Sequence, residues 1–242
     1  MKTKKKLTKA GKILFAILIV LILLIVTLIT KPWNLMKHDS NAVTATPSSE
    51  PSASATIDTT YAENAAVNPE YIGNLKFDGG LLDQNVVQAD DNEKYLSLAW
   101  DLTESTHGAA FLDYRNTLDD QNLIIYVHFV YADESLMFGP LTQLKEEANY
   151  EANKTITLSL ENETREYLIT DVFYYEMDSD SLQYYYTYYD EDYFNTYYAA
   201  VKKADFYDTG ETLTMDDHWL SLQTCVRNRD DLRLIVLAKE VN

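Results

Sequence analysis

The chain has 242 residues, with 38 acidic and 20 basic side chains and a formal net charge of −18. The first 37 residues hold eight lysines and no acid, so the remainder, with 12 basic and 38 acidic residues, has a net charge of −26. This acidic excess argues against binding of nucleic acid or anionic lipid by that part of the chain. The single cysteine, Cys225, excludes an internal disulfide.

The N-terminal region has the pattern of a membrane anchor. Residues 1–12 are rich in lysine, and residues 13–30, ILFAILIVLILLIVTLIT, contain no charged side chain. A helix of that length spans about 27 Å, close to the hydrocarbon thickness of a bilayer. A small-residue cleavage site does not follow, since Lys31 and Pro32 come next. We therefore predict a cytoplasmic flank over 1–12 and a single-pass transmembrane signal anchor over 13–30 in the cell membrane, with the rest of the chain extracellular.

A spacer and one domain are predicted to follow the anchor. Residues 31–66 are rich in Ser, Thr, Ala and Pro and poor in large apolar side chains, so they cannot bury enough surface to offset their chain entropy. We predict a flexible spacer over 31–66 and a folded extracellular domain over 67–242, which is long enough for a sizeable core. The spacer and the lack of disulfides suit the surface of a bacterium with one membrane.

The hydrophobic pattern of the domain has a period of two, which predicts a mainly β fold. Helical pieces are predicted at Asn92–Ala99, around Leu141–Glu147 and at Glu191–Ala204, where acids begin the segment and lysines end it. The expected architecture is a closed or nearly closed β-barrel with short helices. The predicted strands are Ile72–Phe77, Ala109–Tyr114, Leu123–Val130, Thr155–Leu160, Arg165–Tyr175, Trp219–Cys225 and Leu232–Lys239.

Tyrosine is concentrated in one segment. Ten of the nineteen tyrosines lie between Tyr174 and Tyr198. One interpretation is a helix-bearing excursion that packs its rings onto the barrel. The other is an aromatic wall beside a peptide groove, because tyrosine combines a rigid ring with a polar tip.

Cys225 is a candidate nucleophile if a base or a cation lies beside it. His128 is the best candidate base, because it ends the apolar run NLIIYVH and shares a face with Ile124 and Tyr126. His107, in a Thr-His-Gly turn, is the alternative. His218 is seven residues from Cys225 on one predicted strand, about 23 Å away and out of reach.

An arginine is the third expected component of the site. An antiparallel hairpin after Cys225 would place Arg233 opposite the end of the cysteine strand, where a guanidinium could stabilise an oxyanion or hold a substrate carbonyl. Arg227 and Arg229, in the turn, remain alternatives.

Several segments together resemble the sortase family. SLQTC, residues 221–225, followed by Arg233, is similar to the sortase signature Thr-Leu-x-Thr-Cys…Arg. IIYVHFVYADESLMFGPL, residues 124–141, resembles the histidine segment of class B sortases, Ile-Tyr-Gly-His-Asn…Met-Phe-Gly-x-Leu. Further segments that resemble class B are VVQADDNEKYL (86–96), GAAFLDYRN (108–116), the insertion over about 176–212 and YDTGETLTMDD (207–217).

The resemblance implies a sortase barrel and a cysteine transpeptidase on a Gram-positive surface. Cys225 would be the nucleophile, His128 the general acid/base and Arg233 the stabiliser of substrate and oxyanion. The expected partners are secreted proteins with a C-terminal sorting signal similar to Asn-Pro-x-Thr, and an amine of a lipid-linked cell-wall precursor or of a pilin. The predicted substrate-binding residues are Ser221, Leu222, Thr224 and Tyr126. We expect no cofactor, no metal and no nucleic acid partner.

Two positions depart from the family pattern. Val127 replaces the glycine before the histidine, and Phe129 stands where a polar residue is usual. They leave open a binding module with an impaired site. A cysteine peptidase that releases the acyl group to water is a further alternative, because hydrolysis and transfer share their first half-reaction. The acids Asp178, Asp180 and Asp190–Asp192 are interpreted as solvated loop residues rather than as a metal site.

Overall fold

Eight strands form a closed barrel in the computed structural model, which describes residues 59–177 and 184–241. Around the barrel the order is β1-β2-β3-β4-β7-β8-β6-β5, and β5 closes the ring by pairing with β1. The strands are β1 Tyr71–Phe77, β2 Asp83–Val87, β3 Ala110–Leu112, β4 Asn122–Tyr126, β5 Thr155–Ser159, β6 Thr164–Glu176, β7 Trp219–Val226 and β8 Arg229–Glu240. The predicted mainly β barrel is therefore confirmed.

Alternation along the strands separates an inner from an outer face. On β7, Leu220 and Leu222 lie in the barrel core together with Leu234 and Val236 of β8. Trp219, next to Leu220, packs instead in a second hydrophobic cluster. The odd-numbered residues of β7, which include Cys225, therefore share the outer face of the barrel.

Residues 59–177 and 184–241 contain three α-helices: α1 Thr59–Val67, α2 Tyr150–Asn153 and α3 Glu191–Ala204. Helix α3 has the predicted bounds, and the side chain of Asp190 caps it by accepting a hydrogen bond from the Tyr193 amide at 2.8 Å. Its buried residues Phe194, Tyr197 and Val201 pack in the outer cluster with Trp219. The interpretation that the aromatic rings of this segment pack onto the barrel is therefore confirmed for Phe194 and Tyr197.

Helix α1 includes residues 59–66, the last eight residues of the predicted spacer over 31–66. Alanines favour the helix, and its Tyr61 ring lies 5.3 Å from the ring of Tyr71 on β1. The Tyr61 hydroxyl also donates a hydrogen bond to the Tyr71 carbonyl at 3.2 Å. The contacts between Tyr61 and Tyr71 thus attach this helix to the barrel, although the composition of residues 59–66 alone indicated a spacer.

Several predicted element bounds are also corrected. Strand β2 was not predicted, and the helix expected over Asn92–Ala99 is a single 3-10 turn at Lys94–Leu96. The helical piece around Leu141–Glu147 is a 3-10 helix at Gly139–Lys145, followed by a short one at Glu147–Asn149. Strand β4 ends at Tyr126 rather than at Val130, and β8 begins three residues earlier than expected.

The predicted flank, anchor and most of the spacer, residues 1–58, lie outside the described residues, as do Asp178 and Asp180. Within 59–177 and 184–241, every helix is too short or too polar to cross a bilayer.

Candidate active site

Three adjacent strands bring Cys225, His128 and Arg233 together. Strand β7 pairs in parallel with β4 and antiparallel with β8, so the cysteine strand has a neighbour on each side. Tyr126 is paired with Gln223, and the Val127 amide still donates a hydrogen bond to the Gln223 carbonyl at 3.3 Å. If this parallel register is continued by two residues beyond Tyr126 and Gln223, His128 lies opposite Cys225.

On the other side of β7, Cys225 is paired with Arg233. This pairing confirms the predicted hairpin. Its turn places Asn228 at a φ of 59°, a left-handed conformation that asparagine tolerates well. The register shifts between Cys225 and Val226, so that the residues before Arg233 bulge away from β7.

A cavity of about 340 Å³ contains all three side chains. Its lining residues are Asn92, Leu96, Phe111, Tyr126, Val127, His128, Gln223, Cys225 and Arg233. Cys225 is half-buried and His128 is partly exposed, so both are accessible to a ligand in the cavity. Among the histidines that the structure describes, His128 alone lines it, and the alternative base His107 does not.

The three candidate arginines have different partners. The Arg233 guanidinium donates to the carbonyls of Asp230 at 2.9 Å and Leu232 at 2.8 Å, which fixes it within its own bulge. Arg227 pairs with Glu134 at 3.0 Å, and Arg229 pairs with Asp231 at 2.7 Å. Arg233 is the member of this set that lines the cavity.

Three of the four predicted substrate-binding residues lie outside the lining of this cavity. Ser221, Leu222 and Thr224 are fully buried and do not line the cavity. The Ser221 hydroxyl donates to the Asn122 side chain at 2.7 Å, and Leu222 packs in the barrel core. These three side chains pack around the strand that carries Cys225, and Tyr126 is the member of the predicted set that lines the cavity.

Five lining residues were not predicted as binding residues: Asn92, Leu96, Phe111, Val127 and Gln223. Asn92 and Leu96 lie in a segment that already resembled class B sortases, so that similarity was the available signal. Phe111 lies on β3, and Gln223 is two residues before the cysteine on the same outer face. The alternation along β7 indicated that Gln223 shares a face with Cys225. The position of Phe111 beside the cavity depends on the pairing of β3 with β4, which the sequence did not reveal.

A buried carboxylate orients two of the lining side chains. Asp113 accepts hydrogen bonds from the Tyr126 hydroxyl at 2.8 Å and from the Asn92 amide at 3.2 Å. Burial alone would raise the pKa of Asp113, but hydrogen bonds from Arg115 and Tyr126 outweigh it and hold the pKa below its usual value. Burial raises the pKa of Tyr126, so its phenol stays protonated as the donor.

The two residues that depart from the family pattern lie beside the histidine in sequence, with buried side chains. Val127 packs in the barrel core, and Phe129 is 4% exposed with its ring 5.4 Å from that of Tyr131. Phe129 lines a second cavity, of about 310 Å³, together with Val226 and Leu234. The β-branched Val127 side chain therefore points into the core and away from the outer face that His128 shares.

Among the described residues, no cluster of three or more His, Cys, Asp or Glu side chains has the arrangement of a metal site. Of the acids considered from the sequence, Asp190 is used as the cap of α3.

Comparison with known proteins places the chain beside sortases. No family model matches the chain. Sortase B of Staphylococcus aureus is 26% identical over 178 residues, which cover 72% of this chain and 71% of that protein. Sortase B of Listeria monocytogenes is 26% identical over 166 residues, covering 68% of this chain and 66% of that protein. The crystal structure of sortase B from Clostridium perfringens superimposes with a TM-score of 0.67 at 28% identity, covering 75% of this chain and 99% of that chain.

The closed barrel, the cavity that holds Cys225 and the sortase relatives together support a sortase-type cysteine transpeptidase. Within that class, the relatives that the chain matches in sequence and in structure are class B sortases.

Proposed function

We propose that this chain is a membrane-anchored class B sortase that cleaves a sorting signal similar to Asn-Pro-x-Thr and transfers the acyl group to an amine. The observation that carries the proposal is the placement of Cys225 between His128 and Arg233 in one cavity. The lysine-rich flank and the apolar run of residues 13–30 support a single-pass anchor with the catalytic domain outside the cell.

The first half-reaction assigns one role to each of the three side chains. The Cys225 sulfur attacks the carbonyl carbon of the threonine in the signal, and Arg233 stabilises the negative charge that develops on the carbonyl oxygen. His128 donates a proton to the leaving amine as the peptide bond breaks. The product of this step is a thioacyl enzyme in which the substrate is bound to sulfur.

The second half-reaction resolves that thioester with an amine. The amine attacks the thioester carbon, His128 accepts the amine proton, and the sulfur leaves. The proposed amine belongs to a lipid-linked cell-wall precursor or to a pilin, and the partner that donates the acyl group is a secreted protein with a C-terminal sorting signal. A membrane anchor would raise the effective concentration of both at the cavity.

The test is a peptide transfer assay with the full-length protein in detergent. A panel of Asn-Pro-x-Thr peptides is incubated with and without triglycine or a lysine peptide, and both the Cys225 adduct and the products are measured by mass spectrometry. We expect a thioacyl adduct at Cys225 and an amide product that requires the amine. Failure to form an adduct with any peptide would refute the proposal.

The same assay separates the two alternatives. A cysteine peptidase would form the adduct but give only the carboxylic acid, whatever amine is added. A binding module with an impaired thiol would bind peptide without an adduct, and a thiol-reactive probe would label it slowly whether or not peptide is present.

A further inference from the structure

The imidazole of His128 is held by a backbone carbonyl. Its Nε2 atom lies 3.1 Å from the carbonyl oxygen of Leu96, 32 residues earlier in the chain. A carbonyl oxygen can only accept a hydrogen bond, so Nε2 must carry the proton in this arrangement. In the described part of the chain, no carboxylate lies within ion-pairing distance of the ring.

The turn that presents this carbonyl is itself anchored. The Ala109 amide donates to the Tyr95 carbonyl at 3.0 Å, and the Ser105 amide donates to the Ser97 carbonyl at 2.9 Å. Tyr95 is buried, and its hydroxyl donates to the Glu70 carboxylate at 2.6 Å. The 3-10 turn at Lys94–Leu96 is therefore fixed to the barrel on both sides of the carbonyl that accepts from His128.

Gly108 provides the space in which the ring and the turn meet. Its φ of 66° favours glycine, and a Cβ atom there would lie 2.4 Å from the Tyr95 carbonyl oxygen. The same atom would lie 3.2 Å from Cδ2 of His128 and 3.3 Å from the Leu96 carbonyl oxygen. Any side chain at this position would thus press on both members of the hydrogen bond.

We propose that the Leu96 carbonyl and Gly108 are positioning groups that fix the tautomer of His128 and leave Nδ1 to carry the transferred proton. This inference rests on the proposed function, because it assumes His128 as the acid/base. The peptide C–N bond breaks as the Cys225 thiolate attacks, and Nδ1 gives its proton to the leaving nitrogen. When the amine attacks the thioester, Nδ1 takes a proton from it as the C–S bond breaks and the thiolate is restored.

The direct test is the tautomer of His128 in the full-length protein. The protein is labelled with ¹⁵N-histidine in detergent micelles, His128 is assigned with the variant His128→Gln, and spectra are recorded where the ring is neutral. We expect a pyrrole-type shift at Nε2 and a pyridine-type shift at Nδ1. The opposite tautomer, or an equal mixture of the two, would overturn the inference while leaving the transfer activity, and so the proposed function, in place.

A pair of glycine variants tests the space around the ring. Gly108→Ala should give mixed tautomers and lower kcat for transfer roughly tenfold or more, with little change in KM for the peptide. Gly210→Ala is the matched control, since Gly210 has a φ of 78° but no atom lies within 4 Å of a Cβ placed there. Equal losses of activity in the two variants would show that backbone strain alone is responsible and would contradict the proposed role.

A second variant keeps the test decisive if Gly108→Ala does not fold. Tyr95→Phe removes the hydroxyl that anchors the turn but leaves the His128 ring and the Leu96 carbonyl in place. We expect a folded protein with a partly mixed His128 tautomer and a lower kcat. A folded Tyr95→Phe protein with unchanged tautomer and kcat would show that the turn does not position the histidine.

Discussion

The outer face of β4, β7 and β8 contains two regions that differ in burial and in polarity. At one end of the strands, Trp219 and Leu237 are fully buried in the hydrophobic cluster that includes helix α3. At the other end, Cys225 and Arg233 are only partly buried and line an open cavity. The same face of these strands thus has a buried apolar region at one end and an open cavity with polar side chains at the other.

The difference shows how a barrel can place a reactive group on its wall without weakening its core. Inner-facing residues such as Leu222 and Leu234 remain packed along the whole strand. Only the outer face changes character, from the apolar cluster around Trp219 to the cavity that holds Cys225. Stability and chemistry should therefore be separable by mutation, and the following experiments test that separation in order of decreasing expected effect.

Replacing the nucleophile should give the largest change in activity. Cys225→Ala removes the only thiol and should lower kcat by roughly 10⁴-fold or more, because the thioacyl route is lost. The free energy of unfolding should change little, because Cys225 is only partly buried. The rate of amide product formation and a urea titration measure the two quantities. A large loss of stability would show that the two regions are not independent.

The covered region should respond in the opposite way. Phe194→Ala removes a ring 5.8 Å from that of Trp219 and should lower the free energy of unfolding by about 3–5 kcal/mol. Activity per folded molecule should be unchanged. Tyr188→Ala, at a ring that is 60% exposed, is the control and should cost no more than about 0.5 kcal/mol. Urea denaturation followed by circular dichroism distinguishes the two variants.

Removal of the guanidinium should produce an intermediate effect on catalysis. Arg233→Ala should lower kcat for acylation by about 10²-fold, a typical effect of losing a donor to a developing oxyanion. Arg229→Ala, which removes a surface pair with Asp231 from the same hairpin, should leave kcat nearly unchanged. Single-turnover acylation kinetics provide the comparison. Similar losses in both variants would indicate that hairpin distortion, rather than oxyanion stabilisation, lowers the rate.

The smallest expected effect is on the pH dependence of the free energy of unfolding. It involves Asp205, which follows helix α3 and accepts a hydrogen bond from the Val172 amide of β6 at 2.9 Å. Burial first, and then the nearby Asp171, raise the pKa of Asp205 to about 6, against the attraction of Lys202. The folded state therefore binds a proton that the unfolded state releases, so this group lowers stability as the pH rises from about 4 to about 6. Asp205→Asn should remove that penalty, which is on the order of 1 kcal/mol after screening by solvent.

The measurement for Asp205 is the free energy of unfolding of both proteins at pH 4.5 and pH 7. Asp205→Asn should gain relative to the wild type at pH 7 and lose that advantage at pH 4.5. Because both proteins share every other titrating group, the difference between them reports Asp205 together with its interaction with Asp171. An equal difference at the two pH values would contradict the assigned shift.

The sequence predicted the elements whose information is local. Helix α3 was predicted with its observed bounds because acids at its start and lysines at its end lie within one segment. The pairing of Cys225 with Arg233 was predicted from a hairpin, and in the structure the bulge before Arg233 produces this register. Both predictions needed only contacts between residues close in the chain.

The sequence did not reveal contacts made across the barrel. Strand β2 pairs in parallel with β3, and its five residues carry little apolar alternation of their own. The bond from His128 to the Leu96 carbonyl joins two segments through a backbone atom that any residue would supply. Burial of Ser221 and Thr224 likewise depends on the neighbouring strands rather than on their own side chains.

The chain contains one sulfhydryl, and the fold exposes it to ligands at the reaction cavity. A spin label or an iodoacetamide dye would therefore attach only at Cys225, without mutation of other cysteines. The label would report on the cavity itself. The same arrangement makes the domain vulnerable to peroxide, because a sulfenic acid formed there has no second thiol in the chain with which to form a protective disulfide.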